Sequence, residues 1–124
     1  MTSAKPLEAH EIDLVARVAH ESNRAYCEAI EQEDIPPRWH HLNGEQRARK
    51  RNGVAAALEG KTPREMHEAW AKTLLEKGWT YGERVDEELK MHPNLKPYES
   101  LPKPQRTKDA LFIGVVNAVA GGLR

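Results

Sequence analysis

The chain has 124 residues, a length suited to one domain with its own core. Lysine plus arginine equals aspartate plus glutamate at 19 each, so no net field steers it toward nucleic acid or a membrane surface. Cys27 is the only cysteine, which excludes an internal disulfide and a cysteine-based zinc site.

Residues 1–7 read as a flexible tail ending near Pro6, and 8–124 as one domain. The opening stretch lacks the apolar region of a signal peptide, and no apolar run approaches the roughly 20 residues of a membrane span. A soluble protein of a reducing cytoplasm is therefore expected.

From about Glu8 to Glu33, Ile12, Val15, Ala16, Ala19, Asn23, Tyr26, Cys27 and Ile30 recur at helical spacing. Asn23 falls on the buried stripe of this first helix, bordered by His20 and Arg24. They are either satisfied polar groups at a helix contact or the polar wall of a cleft. Asp34-Ile35-Pro36-Pro37 ends the helix, and Trp39, His40 and His41 follow in a loop. Adjacent histidines on extended chain face opposite ways, which disfavours a metal pair there.

Asn43 caps a second helix, with Gln46 in capping-box position, and Gly60 stops it near Glu59. Arg47, Arg51, Val54 and Leu58 share one face, so the arginine heads can emerge at the core edge and hold an anion. The run Gln-Arg-Ala-Arg-Lys-Arg at 46–51 is one basic turn in a neutral chain, read as a solvated face rather than a nucleic-acid surface.

Thr62-Pro63-Arg64-Glu65 is the clearest helix start: cap, proline at the first position and a capping-box glutamate. The third helix runs over 63–77, with Met66, Trp70, Thr73 and Leu74 on one face and His67 within reach of Trp70. After Gly78 the helical period vanishes. Trp79 and Tyr81 alternate with Thr80, as on an extended strand or hairpin arm, and His92-Pro93 and Lys96-Pro97 hold extended backbone. The last helix is expected over 103–120, with Leu111, Phe112, Val115, Val116 and Val119 buried and Gly121-Gly122 as its stop. The fold class is thus mainly α: four helices near 8–33, 44–59, 63–77 and 103–120, with at most a short two-stranded β-hairpin between helices three and four.

Three His-Glu pairs occur, but none continues as HExxH, and no phosphate-cradling glycine loop or Gly-x-Ser-x-Gly elbow exists. Neither catalysis nor a resident metal or cofactor is expected. A binding site fits better. Trp70, Trp79 and Tyr81 offer aromatic walls on which a base would gain roughly 1–3 kcal/mol by stacking. His67, Arg24, Arg51, His92 and Lys108 are candidates for phosphate or ribose contacts. The expected pocket places Trp70 beside the Trp79–Tyr81 arm, closed by the first helix at Asn23 and Arg24.

The pieces IDLVARVAHESNRAYC at 12–27, RNGV at 51–54, HEAW at 67–70, GWTYG at 78–82, HPNLKPY at 92–98 and LPKPQRTKDAL at 101–111 stand in the order seen in the ryanodine-receptor (RyR) domain. The chain resembles that family from residue 10 to about 119. The family occurs in those calcium channels and in stand-alone bacterial and phage proteins; the stand-alone kind is expected here. The resemblance implies a mostly helical fold and recognition of a nucleotide-derived signal, of adenine nucleotide, cyclic nucleotide or ADP-ribose type. The basic stretch before RNGV and the acidic insert with Glu83, Asp86, Glu87 and Glu88 depart from the family pattern and bear on ligand choice. The rival expectation is an interaction module that docks a partner or a second copy through a Trp-rich face.

Overall fold

The computed structural model describes residues 5–124, so residues 1–4 of the expected tail lie outside the described residues. The order is α1 (Ala9–Ala29), a 3-10 turn at Trp39–His41, α2 (Gly44–Leu58), α3 (Pro63–Glu76), β1 (Thr80–Tyr81), β2 (Met91–His92), a 3-10 turn at Tyr98–Ser100, and α4 (Lys103–Leu123). The mainly α expectation and the four helices hold.

Local chemistry sets the helix ends. Asn43 and Thr62 accept hydrogen bonds from the backbone N–H groups of Gln46 and Glu65, whose side chains accept in turn from the cap N–H groups. Each such cap contributes about 1 kcal/mol. Gly60 (φ +92°) and Gly78 (φ +89°) take the left-handed conformation that closes α2 and α3. In α3 the closure is complete: Gly78 N–H donates to the Leu75 carbonyl and Trp79 N–H to that of Leu74, each at 3.0 Å.

Two ends differ from expectation. α1 stops at Ala29, ahead of the prolines, because Glu31 adopts φ 57°. Its N–H donates to the Glu28 carbonyl at 3.0 Å, and that of Gln32 to Cys27 at 2.9 Å, the same closure that glycine makes elsewhere. α4 runs through Gly121-Gly122 to Leu123, because Leu123 packs against the core and holds the last turn in place.

The core lies where α1, α2 and α4 meet. Val15, Ala16, Ala19, Trp39, Leu42, Val54, Ala57 and Val116 form it, with Phe112, Ile113, Val115, Val119, Leu7 and Leu58 packed around them. Small residues on α1 and α2 let the helices approach closely, and Trp39 fills the remaining space at 6% exposure. Trp39 falls in a loop by sequence, and its 3-10 turn carries it into the core.

The expected hairpin is a parallel pair. Thr80 stands opposite Met91 and Tyr81 opposite His92. The intervening chain turns back at Asp86, which bridges antiparallel to Met91 and accepts from Leu89 N–H at 3.0 Å. The second strand therefore reaches β1 from the same direction rather than by a tight two-residue turn.

Candidate functional site

All four helices and β2 converge on an open cleft of about 700 Å³, within the size range of small-molecule sites. α1 supplies Ala19, His20 and Asn23, and α2 supplies Arg49, Lys50 and Gly53. From α3 come Met66, His67 and Trp70. His92 and Asn94 enter from the arm, and Gln105, Lys108, Asp109 and Phe112 from α4. The spacing 105, 108, 109, 112 is one helical face, which turns a polar end and an aromatic end into the same space. Gly53 permits a close approach: a Cβ there would stand 3.3 Å from Phe112 Cζ, so the ring would have to give by a few tenths of an ångström.

One wall is aromatic. The Trp70 ring lies 4.8 Å from that of His92, edge to face, and 5.6 Å from that of His67. His67 Nε2 donates to the Lys96 carbonyl at 2.8 Å, which pins the arm to α3. His92 Nδ1 accepts from Asn94 N–H at 3.0 Å, leaving its proton on Nε2. Burial pushes His92 below the ordinary imidazole value, so it is a neutral donor.

The residues that α2 and α4 add to the lining carry charge of both signs. Burial, with help from neighbouring Arg49, lowers the Lys50 ammonium from its ordinary value. Among the described residues no carboxylate comes within ion-pair distance of Lys50, whereas Arg49 pairs with Glu45 at 3.3 Å. Lys108 Nζ donates to Gln32 Oε1. Burial raises the Asp109 carboxyl, opposed by a 3.2 Å hydrogen bond from Gln105 Nε2 and by the charges of His67 and Lys108.

At the floor His20 is 3% exposed, and its Nε2 donates to the Pro37 carbonyl at 2.6 Å. Burial holds its pKa below the ordinary value, against the raising effect of that hydrogen bond. The sign of the pH effect follows. Below the ordinary value of 6.5 the unfolded chain takes up protons that folded His20 and His92 resist, so stability present above 6.5 is lost progressively as pH falls below it. Asp109, raised above 3.8, acts in the opposite direction at lower pH. The melting temperature should fall from about pH 7 to about pH 5. His20→Gln keeps a donor for Pro37 and cannot charge, so it should flatten that slope; an unchanged slope would remove His20 from the explanation.

Of the expected site residues, Asn23, His67, Trp70, His92 and Lys108 line this cleft. Arg24, Arg51, Trp79 and Tyr81 do not, and the single pocket expected to join Trp70 to the Trp79–Tyr81 arm is corrected accordingly. Arg24 is occupied: its Nε donates to the Pro36 carbonyl at 2.7 Å, and its head pairs with Glu21 at 3.5 Å and Glu28 at 3.6 Å. Glu21 in turn accepts Trp39 N–H at 2.8 Å, a bond that lowers its pKa and pins the Trp39 turn onto α1. Arg51 pairs with Asp13 at 3.0 Å. Arg47 covers the Trp39 ring at 5.4 Å and donates to its carbonyl, so it too belongs to the fold. Trp79 is half-buried away from the cleft, and Tyr81 is exposed beneath the Lys96 ammonium, 5.8 Å from its ring. The left-handed turn at Gly78 sends the arm outward, and it is β2, not β1, that returns to Trp70.

Sequence reading missed Arg49, Lys50, Asn94, Gln105, Asp109 and Phe112 as cleft residues. The helical spacing from Gln105 to Phe112, with Lys108 already a candidate, was the available signal.

A mainly helical domain that carries a polar-aromatic cleft is the class this geometry defines. The family model of the RyR domain matches residues 52–113, half of the chain, and the chain belongs to that family. The match begins within α2 and ends in α4, so it spans α3, the arm and Gln105–Phe112 but not α1. No helix among the described residues is long and apolar enough to cross a membrane, and no group of three His, Cys, Asp or Glu side chains there could hold a metal ion.

Proposed function

We propose that this domain is a non-catalytic binding module for a nucleotide-derived anion, in the cleft between the Trp70–His92 wall and Lys50. The observation that carries the reading is the Lys50 ammonium: desolvated, without a carboxylate partner among the described residues, and lining the same cleft of nucleotide size as Trp70 and His92. A partly buried cation without a counter-ion carries a desolvation cost, and an anionic ligand offsets it. Trp70 and His92 offer faces and edges for a base, and Asn23, Asn94 and Gln105 offer hydrogen bonds to its polar atoms. Adenine nucleotides, cyclic nucleotides and ADP-ribose compounds share this combination. Sensing or sequestering such a signal is the role that follows from this reading. The buried free thiol of Cys27 suits a reducing compartment such as the cytoplasm.

Thermal-shift screening tests the reading. A ligand at 100 times its dissociation constant should add about 2.7 kcal/mol, a rise on the order of 10 °C for a domain of this size. A flat response across those three ligand classes would contradict it.

A second reading rests on the arm, where Tyr81, Val85 and Leu89 are exposed, Leu89 at 66%. Apolar side chains there favour docking to a partner or a second copy of the chain. The face involved is not Trp-rich: Trp39 is buried, and Trp70 and Trp79 are half-buried. Sedimentation giving a dimer together with a flat ligand screen would favour this reading.

A further inference from the structure

The α4 face inside the cleft does not match an anion throughout. Gln105 and Asp109 stand one turn apart, and Gln105 Nε2 donates to Asp109 Oδ1 at 3.2 Å. A carboxylate only accepts, so the amide turns its NH2 toward Asp109, and among the described residues neither Gln105 Oε1 nor Asp109 Oδ2 has another hydrogen-bond partner. None of the ion pairs among the described residues reaches Asp109. The neighbouring Lys108 ammonium is already engaged with Gln32. Two acceptors on one face of α4 thus line the cleft that also holds the Lys50 ammonium.

We propose that Gln105 and Asp109 form a two-acceptor clamp that reads a pair of adjacent, uncharged hydrogen-bond donors on the ligand. The inference rests on the nucleotide reading of the same cleft and narrows it. On a nucleotide two groups have that chemistry: the vicinal 2′,3′-hydroxyls of ribose, and the N1–H/N2–H edge of guanine. Either offers Asp109 and Gln105 two donors at once. An adjacent donor pair satisfies the half-buried carboxylate without bringing a second positive charge. A phosphate placed against Gln105 Oε1 and Asp109 would instead meet acceptors and find no donor on those two atoms. The clamp therefore orients the ligand, with the donor pair toward α4 and the anionic end toward Lys50 on α2.

The test is a calorimetric comparison of AMP, 2′-deoxy-AMP, GMP and 2′-deoxy-GMP binding to the wild-type protein. If the clamp holds ribose, both deoxy compounds should bind on the order of tenfold more weakly than their ribo partners. If it holds guanine, GMP should exceed AMP by a similar factor and the 2′-hydroxyl should not matter. Asp109→Asn, checked for folding by circular dichroism, replaces one acceptor with a donor and should collapse whichever preference the wild type shows. The wild-type panel stands by itself should the variant fail to fold. Equal binding of all four nucleotides, or a folded variant that weakens all four alike, would overturn the clamp and leave the nucleotide site standing. Failure of all four to bind would overturn both.

Discussion

Trp39→Ala should cost about 3–5 kcal/mol, the range for deleting a buried tryptophan side chain. The reasons are local and concrete. Trp39 is almost wholly buried in the core cluster, its ring 6.0 Å from that of His20 and covered by the Arg47 guanidinium at 5.4 Å. Its removal leaves a cavity between α1 and α2 that the small residues Ala16, Ala19 and Ala57 cannot fill. It also strips Arg47 of the ring it covers. Against a total stability of about 5–15 kcal/mol, such a loss brings the domain close to unfolding at room temperature. Chemical denaturation monitored by circular dichroism measures it; a loss under about 1 kcal/mol would show that the turn is not part of the core. Trp39→Phe keeps an aromatic plug and the backbone bond to Glu21, and should cost distinctly less.

The second large effect separates binding from folding. Lys50→Gln should weaken binding of an anionic nucleotide by roughly tenfold to a hundredfold, as expected for a lost hydrogen bond to a charged group. Stability should stay level or rise slightly, because the desolvated ammonium is removed and no ion pair is broken. This is the pattern of a functional residue held at some expense to the fold. Arg51→Gln is the matched control. It carries the same charge change on the same helix but lies outside the cleft and ends the pair with Asp13. Its partly exposed ion pair contributes about 0–1 kcal/mol, and affinity should not change. Titration calorimetry and thermal melts on the two variants decide the matter; equal effects on affinity would mean that only long-range charge was felt.

What the sequence disclosed follows from the range of the interactions involved. The starts of α2 and α3 were legible because Asn43–Gln46 and Thr62–Glu65 are closed circuits within four residues. The closures at Gly60 and Gly78 were equally local. Gly121-Gly122 misled because Leu123 docks on a core formed by distant helices, and that contact overrides a weak local stop. Trp79 misled for a related reason. Adjacency in sequence kept it near Trp70, but the left-handed turn at Gly78 fixed which way the arm departs, and only the parallel register shows that His92 comes back. Lys50 was hidden by its neighbours. In the run Arg47-Ala48-Arg49-Lys50-Arg51 the apolar stripe draws attention to Arg47 and Arg51, yet the structure gives Arg47 to Trp39, Arg49 to Glu45 and Arg51 to Asp13. Lys50 alone of these faces the cleft without an ion-pair partner among the described residues.

The binding cleft is tested most directly by titrating an adenine nucleotide into the isotopically labelled protein and following the tryptophan indole resonances. Trp70 lines the cleft, Trp39 lies in the core beside it, and Trp79 stands apart on the arm. The Trp70 indole and the His92 and Asn94 amides should shift in a saturable manner while the Trp79 indole stays in place. Shifts centred on Trp79 and Tyr81, or none at all with the protein folded, would contradict a nucleotide site between Trp70 and Lys50.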